Sequence, residues 1–335
     1  MLYESKCFKI MKNLKLIILI SLLISNVSAH PGGLLFPLDC ELGKSCWISN
    51  LPRHHVQGKQ VDFRCGPITY ERNDGTDIAL KDIKQMNEGV SVISPINGVV
   101  ELKEEGMSDI SAKTIGYKAS EGRECGNKIV ISNNEMQVKL CHLKNKSIRV
   151  SVGDEINAGD IIGEVGLSGL TDHPHLHISL LDKSDTVVRE VDPFYGPQSD
   201  CGLEPKSLWL NHELMEKHAA TGIVYNYGFA FENITAEHAM SGEYLHAQPE
   251  YTEEFIAFVD IFSVNRGDKL TVTILDSSNN VFAKREHEFG KYQARYFLFA
   301  GKNLRGEKLY GEYHLVIKYN HSNGKEDEFR SSIKL

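Results

Sequence analysis

Apolar and polar positions along this chain alternate in short runs instead of recurring every three to four residues. Between about residues 60 and 195, runs at 90–93, 98–102, 128–132, 148–152, 161–165 and 175–181 are rich in β-branched residues and are separated by Gly, Asn and Asp. Period-two runs of this length bounded by turn residues predict strands, and the Gly153-Asp154 and Gly159-Asp160 pairs predict tight turns between them. Residues 127–132 and 136–141 read as a hairpin around Asn133-Asn134. Around residues 192–197 the pattern breaks at Asp192-Pro193 and Gly196-Pro197, and a short helix is expected at 208–219. A second set of runs follows at 223–231, 255–264, 269–275, 280–286, 293–299, 313–319 and 327–333. Seven alternating strands over so short a stretch predict an immunoglobulin-like β-sandwich.

The whole chain therefore reads as all-β in two parts, and a length of 335 residues agrees with two cores. The expected division is 1–29 as an export segment, 30–60 as a disulfide-tethered segment, 61–200 as the first β core, 201–221 as a linker with a short helix, and 222–335 as the sandwich. Composition, 41% apolar and 24% charged, is that of an ordinary globular protein. A net charge of −8 leaves no basic footprint for nucleic acid.

Lys6, Lys9, Lys12 and Lys15 lead into an apolar run over 16–24 and then Val27-Ser28-Ala29. That run is shorter than the roughly 18–20 residues that cross a bilayer, and small residues follow it, as in a cleaved secretory signal. Met1 and Met11 both serve as starts for such a signal. The remainder carries no further membrane insertion and keeps six of the seven Cys: Cys40, Cys46, Cys65, Cys125, Cys141 and Cys201. An even number in an exported chain predicts up to three disulfides, in a periplasmic or secreted setting. The hairpin places Cys125 opposite Cys141, and elimination leaves Cys46–Cys65 and Cys40–Cys201.

Of 14 His, most are scattered. In His173-Pro174-His175-Leu176-His177, residues 175 and 177 lie two apart on a strand, so both imidazoles leave one face. His142 follows the hairpin strand, and Asn73-Asp74-Gly75-Thr76-Asp77-Ile78-Ala79 reads as a Gly-containing turn that delivers the Asp77 carboxylate. A hydrolytic zinc needs about three protein ligands, an open position and a neighbouring base. Asp77 and one His of the pair can supply two ligands. The other His and His142 can orient water and move protons.

The blocks Gly75-Thr76-Asp77-Ile78-Ala79, Gly98-Val99-Val100, Gly126-Asn127-Lys128-Ile129-Val130-Ile131, Cys141-His142-Leu143, Val152-Gly153-Asp154, Ile162-Gly163-Glu164-Val165-Gly166, Ser168-Gly169 and Pro174-His175-Leu176-His177 together resemble the lysostaphin/LytM-type zinc endopeptidases. Their order and spacing carry the resemblance, more than any one of them. It implies a small antiparallel β core with one Zn2+ in a groove, and cleavage of peptidoglycan stem peptides or cross-links. It also implies Asp77 and His177 as metal ligands, His142 and His175 as catalytic residues, and a Gram-negative periplasmic setting. The family pattern HxGxD places its first ligand where this chain has Asn73, whose neutral amide oxygen is a poorer zinc donor than imidazole. Three outcomes follow. Asn73 still ligates, or His54, His55 or Asp74 takes its place, or the site is inactive.

Two functions stand against each other. One is a zinc endopeptidase acting on cell-wall peptides. The other is a non-catalytic module that binds peptidoglycan or regulates an amidase, with the C-terminal part contacting wall or protein.

Overall fold

The computed structural model describes residues 33–184, 187–196, 200–202, 206–249 and 252–335. The proposed export segment, residues 1–29, lies outside the described residues. The first half contains β1 (Cys46–Asn50), β2 (His54–Val56), β3 (Lys59–Val61), β4 (Gly75–Leu80), α1 (Ile83–Glu88), β5 (Ser91–Ile93) and β6 (Gly98–Glu104). After α2 (Ala112–Ile115) come β7 (Asn127–Ser132), β8 (Met136–Leu143), β9 (Glu155–Ile156), β10 (Ile161–Glu164), β11 (His175–Asp182) and β12 (Arg189–Val191). An antiparallel sheet runs in the order β1-β4-β11-β8-β7-β6-β9, with β12 on β11, and β10 pairs with β5.

Strand β4 lies inside this sheet and every one of its six residues is buried. The turn expected at 73–79 is thus mostly a central strand, because the polar Thr76 and Asp77 interrupt an apolar pattern that β1 and β11 nonetheless bracket. Residues 46–50 do more than tether, since β1 forms the edge that covers β4. The strand expected at 148–152 does not form as a ladder. Ile148 and Val150 point into the core, but the segment bends at Gly153, whose N–H bonds the Val100 carbonyl.

Three disulfides join the described cysteines. Cys125–Cys141 forms across the β7–β8 neighbourhood as the hairpin predicts. The other two expected pairs are corrected to Cys40–Cys46 and Cys65–Cys201. The turn before β1 brings Cys40 and Cys46 to 6.1 Å between Cα atoms, six residues apart. Cys65 sits in a turn with φ of 62°, against the segment in which the Gly202 N–H bonds the Phe63 carbonyl at 2.8 Å. Elimination on paper could not see either turn.

Beyond the short α3 (His212–His218) the chain enters β13 (Ile223–Ala230), α4 (Ala236–Ser241), β14 (Glu254–Val264), β15 (Lys269–Leu275), β16 (Val281–Glu288), β17 (Gln293–Asn303), β18 (Glu312–Asn320) and β19 (Glu326–Lys334). The sheets β13-β14-β17 and β16-β15-β18-β19 are antiparallel and contribute to one apolar core containing Phe255, Val259, Leu298, Val272 and Leu315. Strands β15 and β19 alternate in burial residue by residue, the signature of half-buried strands that the pattern reading used.

Residues 34–335 form one compact unit. Where the two halves meet, Trp47 and Ala79 from the first sheet pack against Tyr225 and Phe262 from β13 and β14. Tyr225 and Phe262 stack with ring centroids 3.8 Å apart, and Lys113 bridges to Glu237 at 2.7 Å. The junction is thus packed aromatic surface with an ion pair at its rim.

Candidate active site

Antiparallel register builds the centre of the site. In β11 against β4, His177 lies directly across from Asp77 and His175 across from Ala79. Cross-strand partners share a face and alternate residues share a face, so Asp77, His175 and His177 converge. His177 Nδ1 meets Asp77 Oδ1 at 2.8 Å, and His175 Nε2 lies 3.7 Å from the same oxygen. Gly75 permits this approach, because a Cβ there would fall 2.3 Å from the Ile178 carbonyl oxygen and 2.7 Å from His177 Nε2.

His142 reaches the cluster by a break in the strand. Asn127 pairs with Leu143 and Ile129 with Leu140, so β8 carries one extra residue across Cys141 and His142. Such a bulge re-aims side chains. The backbone of His142 adopts φ of 61°, a left-handed conformation that costs a non-glycine residue on the order of 1–3 kcal/mol. Its N–H bonds the Cys125 carbonyl at 2.8 Å, so the Cys125–Cys141 disulfide and this bond pin the bulge together. The rings of His142 and His175 end 4.5 Å apart.

Hydrogen bonds fix the protons. His142 Nδ1 donates to the Ser168 carbonyl at 2.7 Å, and His175 Nδ1 to the His173 carbonyl at 2.8 Å. Each leaves Nε2 as a lone-pair acceptor. Burial, together with the neighbouring imidazoles, holds His142 well below its ordinary value, and burial also lowers His175. Both are neutral bases. His177 is the opposite case: Nε2 meets Asp74 Oδ1 at 2.9 Å while Nδ1 meets Asp77. Burial opposes the charge, but the two carboxylates outweigh it and lift His177 to about 9. Asp77 and Asp74 are in turn held below the usual carboxylate range. Burial works against this in both, and it is overcome by the surrounding histidines for Asp77 and by His177 and Lys139 for Asp74.

The sequence resemblance implies one zinc, which needs about three protein ligands. Two of the expected ligands, Asp77 and His177, face each other, and the third position does not join them. Asn73 is buried with both ends of its amide committed: Nδ2 donates to the Leu51 carbonyl at 2.8 Å, and Oδ1 accepts from the Gly75 N–H at 3.2 Å. His54 is buried elsewhere, bonded to Asp192 at 2.8 Å, and His55 is exposed beside Arg53. Asp74 does reach the cluster, but on the far nitrogen of His177, where it clasps an imidazolium. Among the described residues no group of three His, Cys, Asp or Glu is placed to hold a metal ion. A catalytic zinc takes about three protein ligands, so this set does not fit one.

Residues that the pattern did not single out complete the site. Asn50 of β1 donates to Asp77 Oδ2 at 3.1 Å, and Thr171 lies 3.1 Å from His175 Nδ1. Tyr70, an exposed residue at the mouth of the site, lies beside Asp77, whose charge pushes its phenol up. A cavity of about 270 Å³ opens beside Asp77 and His175 and is walled on its far side by Phe262, Ala294 and Arg295. The CWISN pattern of β1 is a legible strand, which could have revealed Asn50. No sequence signal joins β14 and β17 to residues so distant.

Residues 71–189 match the family model described as peptidase family M23. No curated protein matches the chain. Three solved structures illustrate the similarity. The catalytic domain of a mutant prophage-encoded M23 protein, EnpA, from Enterococcus faecalis is 21% identical, covering 43% of this chain and 88% of its own, with a TM-score of 0.28. The catalytic domain of lysostaphin from Staphylococcus simulans is 20% identical, with coverages of 43% and 85% and a TM-score of 0.26. A zinc containing peptidase from Vibrio cholerae is 21% identical, with a TM-score of 0.27; the match covers 44% of this chain and 39% of that one.

Proposed function

We propose, from the match of residues 71–189 to peptidase family M23, whose members are typically peptidoglycan endopeptidases that bind zinc, that the protein binds the peptide part of cell-wall peptidoglycan without zinc-dependent hydrolysis. The groove beside Asp77, His142, His175 and His177 is the binding surface. One observation carries the non-catalytic half of this reading: both polar ends of Asn73 are spent on the backbone of Leu51 and Gly75. Three disulfides support an oxidising, extracytoplasmic setting. Among the described residues no helix is long and apolar enough to cross a membrane. Residues 61–200 are the peptide-binding unit and 222–335 a sandwich. The order β13-β14-β17 over β16-β15-β18-β19 supports an immunoglobulin-like topology.

A second reading, hydrolysis, draws on one specific observation. His142 and His175 keep neutral, lone-pair-bearing Nε2 atoms on rings 4.5 Å apart, an arrangement a non-catalytic groove does not need. The test uses the purified mature chain in three assays: zinc per chain after dialysis, co-sedimentation with purified sacculi, and muropeptide release. Binding without zinc and without release supports the first reading. Stoichiometric zinc with release that His142→Ala and His175→Ala abolish establishes the second.

A further inference from the structure

The proton on His175 is placed by a carbonyl that lies just outside the strand carrying the ring. His175 Nδ1 donates to the His173 carbonyl at 2.8 Å, and Thr171 Oγ1 donates to the same oxygen at 2.9 Å. Which nitrogen of a neutral imidazole holds the proton is decided by the bond the ring makes, so the position of this carbonyl sets the state of His175. Residues 171–174 lead into β11 as irregular chain, and Pro174 brings no N–H of its own. The first half ties the segment by its backbone: the Ala112 N–H donates to the Thr171 carbonyl and the Leu80 N–H to the Pro174 carbonyl, each at 2.9 Å. The His173 ring makes one bond there, from Nε2 to the Leu80 carbonyl at 2.7 Å.

The C-terminal half holds that ring from the other side. Tyr225 of β13 and Phe262 of β14 stack with their planes 8° apart, and the His173 ring stands at 89° and 86° to them, with centroids 5.6 and 5.3 Å away. Near-perpendicular rings at this separation are a preferred arrangement of their quadrupoles. Tyr225 is aimed by a defect in its own sheet: Val224 pairs with Ile261 and Asn226 with Asp260, so Tyr225 is the extra residue of a bulge. The same aromatic pair covers the strand row that ends in His175. Trp47 of β1 lies across from Ala79 of β4, and Ala79 lies across from His175 of β11, so the three share a face. Tyr225 and Phe262 pack directly on Trp47 and Ala79 and reach the third member of the row through His173.

We propose that Tyr225 and Phe262 are positioning residues for His175. By clamping the His173 ring they hold the His173 carbonyl, which keeps the His175 proton on Nδ1 and the lone pair on Nε2, the atom 3.7 Å from Asp77 Oδ1. The C-terminal half is then part of the working site, a different job from that of an anchor on a swinging linker. This goes beyond the peptide-binding reading and does not depend on it, because the ring is set in the same way whether the groove holds a peptide or cuts one.

The experiment reads the His175 tautomer in the full mature chain, chelator-treated and labelled with nitrogen-15 histidine, from long-range proton–nitrogen spectra at one mildly alkaline pH. Wild type carries the proton on Nδ1. Tyr225→Leu, which keeps apolar bulk but removes a ring that does not line the cavity, shifts the tautomer ratio about three- to tenfold towards Nε2–H, the size of one neutral hydrogen bond. His173→Ala, which removes the clamped ring itself, does the same. Tyr225→Phe keeps the stack and keeps the wild-type tautomer. Ile317→Ala, in the core on the opposite sheet, lowers the melting temperature without moving His175, a contrast that loss of stability alone would not produce. Thermal melts and amide spectra establish which variants are folded, and Tyr225→Leu and His173→Ala test the clamp independently. The proposal is overturned if wild-type His175 carries its proton on Nε2, if either folded disruption keeps the wild-type tautomer, or if Ile317→Ala shifts it as far as they do.

Discussion

The side-chain amide of Asn73 donates to the backbone carbonyl of Leu51 at 2.8 Å, tying the entry of β4 to the chain just after β1. A residue at the start of the metal-ligand motif thus serves as a backbone clamp. Asn73→His offers the site a third imidazole or carboxylate donor beside Asp77 and His177. Zinc retained after dialysis is expected to rise from well below one to about one per chain. The same change removes partners from the Leu51 carbonyl and the Gly75 N–H, so the metal-free variant should lose about 1–3 kcal/mol of stability, which zinc then restores. Metal analysis and paired melts with and without zinc check this. A variant that takes up no zinc would mean that the position of Asn73 alone does not account for the incomplete donor set.

The Asp74–His177–Asp77 unit makes metal-free stability pH-dependent. His177 is raised to about 9 from an unfolded value of 6.5, so its contribution is complete below 6.5 and is lost as pH rises through about 9. Asp74 and Asp77 are lowered from 3.8, so their contribution holds above that value and fades as pH falls through their folded-state values. His142 and His175 are lowered from 6.5, so their burial costs stability as pH falls below that value, and the chelator-treated protein should therefore be most stable near neutrality and lose melting temperature towards pH 10 as His177 deprotonates. Asp74→Asn, removing one of the two carboxylates, should bring the His177 titration down towards neutrality. Following the His177 ring by NMR across this range reads both effects, and a His177 that titrates near 6.5 in wild type would contradict the clasped imidazolium.

How much of this was legible follows from the range of each interaction. Pattern alone placed β7, β8, β11 and the seven C-terminal strands to within a few residues, because alternation is local. The spacing of His175 and His177 put both on one face for the same reason. His142 was readable as a candidate but its arrival was not, since strand alternation says nothing about the bulge and the left-handed backbone that turn it toward His175. Central strand β4 reads as a turn in the sequence because Asp77, a buried charge satisfied by His177 and Asn50, breaks the apolar run that burial would otherwise demand. The wall formed by Phe262, Ala294 and Arg295 depends on contacts between distant segments, for which no local pattern exists.

The three disulfides close loops of very different length, with sequence separations of 6, 16 and 136. By loop entropy, removing them should cost about 2 kcal/mol for Cys40–Cys46, about 3 for Cys125–Cys141 and about 5 for Cys65–Cys201. Paired Cys→Ser variants measured by denaturant unfolding test the ranking. The Cys125–Cys141 pair should have a further consequence that the others lack, because the Cys125 carbonyl also holds the N–H of His142. Its loss should broaden or shift the His142 ring resonances, while the Cys40–Cys46 variant leaves them in place.

The carbonyl that holds the His142 ring depends on Gly126. That glycine has φ of 64°, and a Cβ on it would lie 2.4 Å from both the carbonyl carbon and the oxygen of Ser168, the residue whose carbonyl receives the His142 Nδ1 proton. Backbone cannot yield as a side-chain tip can, so Gly126→Ala must push the Ser168 segment away. The expected cost is about 1–3 kcal/mol from the left-handed backbone alone, with more from the collision. His142 then loses the bond that fixes its tautomer, and its pKa, which burial and the neighbouring imidazoles now depress, should rise as the ring loosens toward solvent. Stability by urea unfolding and the His142 titration by NMR should move together in Gly126→Ala. Gly122→Ala, four residues earlier, has a comparable φ of 76° and no atom within 4 Å of the added methyl, so it isolates the backbone strain. It should lower stability without disturbing His142. If the two variants behaved alike, the Ser168 contact would be irrelevant to the setting of His142.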